Sequence, residues 1–343
     1  MACKHPLKRF ILPDGSGKVT SYDTQYLIRR NNNYIPCNVS LPGDIFYDKV
    51  TEFQEIPCGH CISCRLEYSR QWANRMLMEL EYHDKACFIT LTYDDDHLPD
   101  RGRDFLLDEY TGEVYRSSSL VKSDLQGFIK KLRNKHRFED DFYCRYYGVG
   151  EYGSKSFRPH YHMILYGYDF PDKFFFKQSP LGNKYFISDE LSFLWPYGLH
   201  IVTEVSWETM AYCARYVTKK LTGQAAEFYE TQNIIPEFSL MSRRPGIGRL
   251  YYEDHKDKIF HDQEIILKTN KGKKVFRPPR YFDQLFDIDY PEENQKIKEF
   301  RIEQAKINNA LKMNNTSLEY LDQLKVEEAN LEARIRVLER SKV

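Results

Sequence analysis

Nothing in the sequence approaches the roughly 20 consecutive apolar residues that a membrane-spanning helix needs, and the N-terminus, MACKHPLKRF, has no apolar stretch of signal-peptide length. Both absences point to a soluble, cytoplasmic chain with no membrane partner. Net charge is lacking too. The 50 lysines and arginines balance 50 aspartates and glutamates, so overall charge names no polyanionic partner, although local clusters of either sign stay open. No Gly-x-x-x-x-Gly-Lys-Ser/Thr loop occurs, which excludes the familiar P-loop cradle for nucleoside triphosphates. What the chain does have is length for a large core, 343 residues, with 26 tyrosines and 22 phenylalanines that mostly serve to fill it. It also has eight cysteines, which without a secretory signal read as thiols or metal ligands and not as disulfides.

The pattern changes along the chain. Residues 1–66 are rich in turn formers and hold five of the cysteines, too irregular a segment for a large core. From Glu67 to about His83, apolar residues recur every three or four positions, which predicts an amphipathic helix. Ala86–Tyr93 alternates like a strand and stops at Asp94-Asp95-Asp96. A polar hairpin or loop over 100–118, turning at Thr111-Gly112, leads to helical spacing over Ser119–Lys135. Two strands, Phe142–Glu151 and Pro159–Tyr166, follow with a connection short enough to make them antiparallel. After a Phe- and Lys-rich excursion, Gly198–Val205 reads as a further strand, and Ser206 caps a helix running from Trp207 to about Leu221. Strands outnumber helices and the hairpins are short. The expected fold is therefore α+β, a central antiparallel sheet with helices packed on one face. Residues 224–290 form an accessory, partly basic region, and 291–343 a charged tail of one or two helices, either coiled with a partner or solvated.

Chemistry concentrates in RPHYHMILYG, residues 158–167. Side chains alternate across a strand, so His160 and His162 emerge on one face, and two neutral imidazoles make half of a divalent-metal site. Alone, such a pair reads as hydrogen-bonded or surface histidines. Glu151, at the end of the neighbouring strand, supplies a third donor and leaves open positions for a substrate oxygen. Mixed oxygen and imidazole ligation suits Mn²⁺ or Mg²⁺, with zinc a permitted alternative. Further on, Tyr212 and Tyr216 lie four apart on the expected helix and share a face. Either they pack on the sheet, or a phenol acts as a covalent nucleophile on a metal-polarised electrophile. Lys219 near Tyr216, and Arg215 near Tyr212, can steer a phosphate or lower a phenol's pKa.

Cys58-x-x-Cys61-x-x-Cys64 offers three thiolates for a structural Zn²⁺, with Cys3 the preferred fourth ligand and His60, His5 or Cys37 as substitutes. Cys87, Cys144 and Cys213 are core fillers. Lys130-Lys131-Leu132-Arg133, Arg243-Arg244 and Lys271-Gly272-Lys273-Lys274 are phosphate-binder candidates that read equally as solvated basic faces.

Taken together, FITLTY at 88–93, Pro159-His160-Tyr161-His162 with Glu151 upstream, and Tyr212-x-x-x-Tyr216-x-x-Lys219-Lys220 resemble the HUH endonucleases that initiate rolling-circle replication. The tyrosine pair looks like the branch found in small single-stranded DNA phages. CGHCISCR, SRQWANRMLMELE and SRRPGIG look most like the initiators of gokushovirus-type microviruses, over residues 1–250. The resemblance implies an RRM-like palm over an endonuclease domain at 67–223, with Glu151, His160 and His162 as metal ligands. Tyr216 and Tyr212 would be alternating nucleophiles assisted by Lys219, and Arg215, Lys220, Arg243 and Arg244 would lie on the DNA. It implies single-stranded or supercoiled phage origin DNA as substrate, and a host helicase and DNA polymerase as partners. The same residues leave room for an HUH transposase or relaxase, or for a non-catalytic zinc-containing nucleic-acid binder.

Overall fold

A computed structural model describes residues 3–38, 48–107, 114–153, 156–180, 182–216, 220–221, 223–269 and 272–340 of the chain, without the side chains of 100–117, 216, 224 and 336–340. It divides into two compact units: residues 69–291, and residues 1–68 together with 292–343.

The 69–291 unit is built on a seven-stranded sheet. The strand order is Phe174–Gln178, Lys184–Ile187, His200–Thr203, Ala86–Thr92, Pro159–Tyr166, Arg145–Tyr152 and Phe238–Met241, antiparallel at every junction. The histidine strand, Pro159–Tyr166, is nearly central and buried along almost its whole length. A strand apolar on both faces needs a layer over each, and that is what forms. On one face, Ile89, Leu91, Met163, Leu165 and Val202 pack in a single core with Leu125, Phe128, Ile129 and Leu132 of the helix Lys122–Lys135, and with Leu191 and Leu194 of the helix Asp189–Leu194. The opposite face, which carries both histidines, is covered by two other helices. Ile62–Leu80 places Trp72 5.2 Å from the Tyr147 ring and takes a hydrogen bond from the Tyr166 hydroxyl on the Met76 carbonyl. Trp207–Tyr216 brings Tyr212 within 6.4 Å of the Phe88 ring. The expectation of helices on one face is therefore corrected to helices on both. Period-2 alternation tells which residues share a face, but it does not tell which helix covers it.

The Phe- and Lys-rich excursion becomes the two outer strands, Phe174–Gln178 and Lys184–Ile187, and the polar stretch at 100–118 is a hairpin, Asp100–Leu107 with Val114–Ser118. The turn expected at Thr111-Gly112 lies outside the described residues. Beyond Met241 come the helix Arg249–Asp262, a two-stranded ribbon of Ile265–Thr269 and Gly272–Phe276, and the helix Arg280–Asp289.

The other unit holds two three-stranded sheets around a small core of Phe10, Leu27 and Val50. The tail forms two helices, Pro291–Met313 and Tyr320–Arg340. The second of these meets the N-terminal segment through Lys4 to Glu327, His5 Nε2 to Glu328 at 2.7 Å, and the Tyr320 hydroxyl donating to Glu55 at 2.7 Å. Among the described residues no helix is long and apolar enough to cross a membrane.

Candidate metal centre and tyrosine helix

Strand register assembles the centre. His160 stands directly between Glu151 on one neighbouring strand and Thr92 on the other, and His162 between Val149 and Thr90. Residues paired across an antiparallel ladder share a face. Glu151, both histidines and both threonines therefore point the same way, towards the helix that carries Tyr212. The ligand atoms of Glu151, His160 and His162 lie within 4.8 Å of one another. Nε2 of His160 is 2.6 Å, and Nε2 of His162 3.1 Å, from the same Glu151 oxygen.

The outward nitrogens are held as well. His160 Nδ1 is 3.1 Å from the Arg158 carbonyl, which can only accept, so this contact fixes the proton on Nδ1 when the ring is neutral and leaves the Nε2 lone pair facing Glu151. His162 Nδ1 meets the Thr90 hydroxyl at 2.9 Å, and Phe88 stacks on that ring at 5.6 Å and 17°. Ahead of the motif, Arg158 is tied to Asp95 at 2.5 Å and to the Tyr93 carbonyl.

Glu151 is 2 % exposed, and a carboxylate that deep persists only if paired. Burial pushes its pKa up, but the hydrogen bonds and charges of His160 and His162 outweigh this and hold it below the usual carboxylate range. One oxygen and two nitrogens, with the imidazoles oriented from behind, are a donor set that fits a divalent cation. The sequence pointed to the three donors but not to Thr90 as support. FITLTY gave the strand, but only the register shows which threonine stands behind which histidine.

The Tyr212 ring lies 5.1 Å from the His162 ring, edge to face. Burial, and then the Glu151 charge, push its phenol well above the ordinary tyrosine range, against an opposing pull from Arg215. Tyr216 closes the same helix one turn later, but its side chain lies outside the described residues, as does Lys219 altogether. Lys220 is exposed just beyond. Arg243 and Arg244 are not brought to this centre. Ser242 hydrogen-bonds the backbone of Tyr146, at the other end of the Glu151 strand. The five residues from 146 to 151 set that junction about 17 Å from the carboxylate.

In the other unit, Sγ atoms of Cys3, Cys58, Cys61 and Cys64 lie within 4.8 Å of one another. Backbone N–H groups of Lys4, Cys58, His60 and Cys61 donate to these sulfurs at 3.3–3.4 Å. Burial raises the Cys61 thiol, but those N–H donors and its cysteine neighbours bring it down to about 7, while burial holds Cys64 up at about 11. Four convergent sulfurs with donors behind them fit a tetrahedral metal with no open position. Of the substitute ligands, His60 is exposed, His5 pairs with Glu328, and the Cys37 sulfur faces the Ile35 carbonyl.

A three-donor cluster on adjoining strands, lying beside a helix-borne phenol, gives the larger unit the make-up of a metal-assisted phosphoryl-transfer centre. Residues 86–221 match the family model of replication-associated protein ORF2, and the chain belongs to that family. It is 29% identical over 355 aligned residues to the replication-associated protein ORF2 of Spiroplasma virus 4, covering 99% of this chain and 98% of that one. It is 27% identical over 270 residues to VP4 of Bdellovibrio phage phiMH2K, also a replication-associated protein, covering 75% and 77%. A third relative, replication-associated protein ORF4 of Chlamydia phage 1, is 32% identical over 248 residues, covering 70% and 55%. No solved structure matches the chain.

Proposed function

We propose that this protein initiates rolling-circle replication of a small DNA phage by cutting and rejoining single-stranded origin DNA through a tyrosine. The observation that carries this is the convergence of Glu151, His160 and His162 within 4.8 Å, with Tyr212 5.1 Å from His162.

Glu151, His160 and His162 would hold Mn²⁺ or Mg²⁺. When bound, the cation binds the scissile phosphate, spreads the charge developing on its oxygens and offsets the Glu151 charge that now raises the Tyr212 phenol. Tyr212 or Tyr216 attacks phosphorus in line. The phenolic oxygen forms the new P–O bond and loses its proton, the bond to the 3′-oxygen breaks, and that oxygen leaves to become a free 3′-hydroxyl. The product is a 5′-phosphotyrosine, which keeps the energy of the diester, so the reverse attack by a 3′-hydroxyl rejoins DNA without ATP. Arg215, Lys219 and Lys220 act on the phosphates from the tyrosine helix and its continuation. A polymerase and a helicase of the host extend the 3′ end and unwind the template. The four cysteines hold Zn²⁺ as a structural ion.

The test is adduct formation. With Mn²⁺ or Mg²⁺, the chain should become covalently attached to the 5′ side of a cleaved origin oligonucleotide, and Tyr212→Phe/Tyr216→Phe should abolish the band. Persistence of the adduct in the double variant would remove the nucleophile assignment. For the cysteine cluster, elemental analysis should find one zinc per chain. Chelation should then melt the unit holding residues 1–68 before the 69–291 unit, read by hydrogen exchange.

A further inference from the structure

Residues 265–280 carry six lysines and arginines and no acidic residue, in a chain whose net charge is zero. The structure folds most of this stretch into the ribbon Ile265–Thr269 with Gly272–Phe276. Its inward face is committed. Ile265 and Leu267 are buried, and the Lys274 ammonium sits 2.9 Å over the ring of Trp207, the first residue of the tyrosine helix. Its outward face is not. Lys268 stands directly opposite Lys273, and Ile266 directly opposite Val275. Ile266 is 53 % exposed and Val275 56 %. Like charges facing each other across a ladder destabilise it, and an exposed aliphatic pair forgoes burial. Among the described residues no carboxylate pairs with either lysine. The ribbon is therefore better suited to a polyanion than to solvent.

We propose that this ribbon seats on duplex DNA next to the cleavage site, with Lys268 and Lys273 on phosphates and Ile266 and Val275 against base edges. The B-form major groove admits a two-stranded ribbon, and aliphatic side chains suit thymine methyl groups. A single-strand binder would offer rings for bases to stack on. The outward face has none, because Phe276 shares the inward side with Ile265. Through Lys274 and Trp207 the ribbon is braced on the helix that holds Tyr212, so duplex engagement and the nucleophile helix share one support. This rests on the DNA-processing reading above, yet it can be tested without cleavage.

The experiment measures binding of the full chain, with no divalent ion added, to a short blunt duplex and to one of its strands over a range of salt. Two phosphate contacts contribute a slope of about 1.8 in log K against log salt. Raising salt from about 50 to about 200 mM should therefore weaken native duplex binding about tenfold more than that of Lys268→Gln/Lys273→Gln. The variant should melt no lower than the native chain, because a repulsion is relieved, and should keep single-strand binding and adduct formation on a short single-stranded oligonucleotide. Ile266→Ser/Val275→Ser should weaken duplex binding without changing the salt slope. Unchanged duplex affinity and slope in the lysine variant would overturn the proposal, as would equal losses on duplex and single strand, or preference for an acidic peptide over the duplex. A chain that binds duplex in this way but forms no adduct would fail the nicking reading and leave the ribbon standing.

Discussion

One strand, Arg145–Tyr152, has a buried carboxylate at each end, and the two are neutralised by different means. At its start, Glu79 reaches in from the helix Ile62–Leu80 and meets Arg145 Nε at 2.5 Å, His83 at 3.3 Å and the N–H of Gly248 at 2.7 Å. Gly248 takes the left-handed conformation, φ 76°, a backbone shape that glycine adopts at little cost. Arg145 also donates to the Pro245 carbonyl, and Arg75 to that of Ile247, so the whole SRRPGIG turn is pinned from beneath. At the other end of the strand, Glu151 has two imidazoles. A guanidinium stays charged across the accessible pH range, whereas an imidazole can be proton donor, cation or metal ligand. The first cluster is therefore locked, and the second can exchange its proton for a metal. Depth of burial does not separate them, since Glu79 is 1 % and Glu151 2 % exposed; the chemistry of the partner does.

Substitutions at the two ends should split stability from chemistry. Glu151→Gln should lower the rate of adduct formation on the order of a hundredfold or more, because a ligand counts for more than its supporting shell. Its unfolding transition should move little. A normal rate in this variant would exclude Glu151 as a ligand. Glu79→Ala should do the reverse, costing about 3–5 kcal/mol in denaturant unfolding by leaving Arg145 buried without its carboxylate, while folded molecules still form the adduct. Loss of the adduct at full stability would erase the distinction between the ends.

Acid separates them further. Burial raises Glu79, but His83, the Gly248 N–H and Arg145 outweigh it and leave its carboxyl below the usual range. A depressed folded pKa means that the unfolded chain binds the proton more readily, so this contribution is complete above the unfolded value, about 4.3, and is lost as pH falls through the folded one. Stability of Glu79→Gln should fall less steeply with acid than that of the native chain, and an identical slope would argue against the assignment. The smallest expected effect is Thr90→Val, which removes the hydroxyl behind His162. Divalent-metal affinity, read from the metal dependence of adduct formation, should drop about 10- to 100-fold, with recovery in Thr90→Ser.

The residues that sequence patterning reached are those whose signal is local. Pro159–Tyr166 appears as expected because its neighbours set a turn before it and glycine after it. The helix from Trp207 follows from its cap and spacing, and Glu151 meets the histidines because a short connection makes the two strands neighbours. Cys3 joins the three clustered cysteines across 55 residues for a different reason, since a tetrahedral thiolate set leaves one vacancy to fill. The Glu79, Arg145 and Gly248 clamp was invisible because its members are 66 and 169 residues from Glu79 and each is unremarkable alone. Arg243 and Arg244 read as companions of the tyrosine motif, but antiparallel geometry sends them to the far end of the Glu151 strand. Charge alone could not reveal the ribbon's outward lysines as a matched pair, because that depends on which residue stands across the ladder.

One unit of this protein is assembled from segments far apart in the chain, with Lys4 and His5 meeting Glu327 and Glu328. The 69–291 unit is contiguous, so it has all its residues at hand while synthesis continues. The other unit must wait for the helix Tyr320–Arg340 to leave the ribosome, which makes its completion a marker that translation has passed that point.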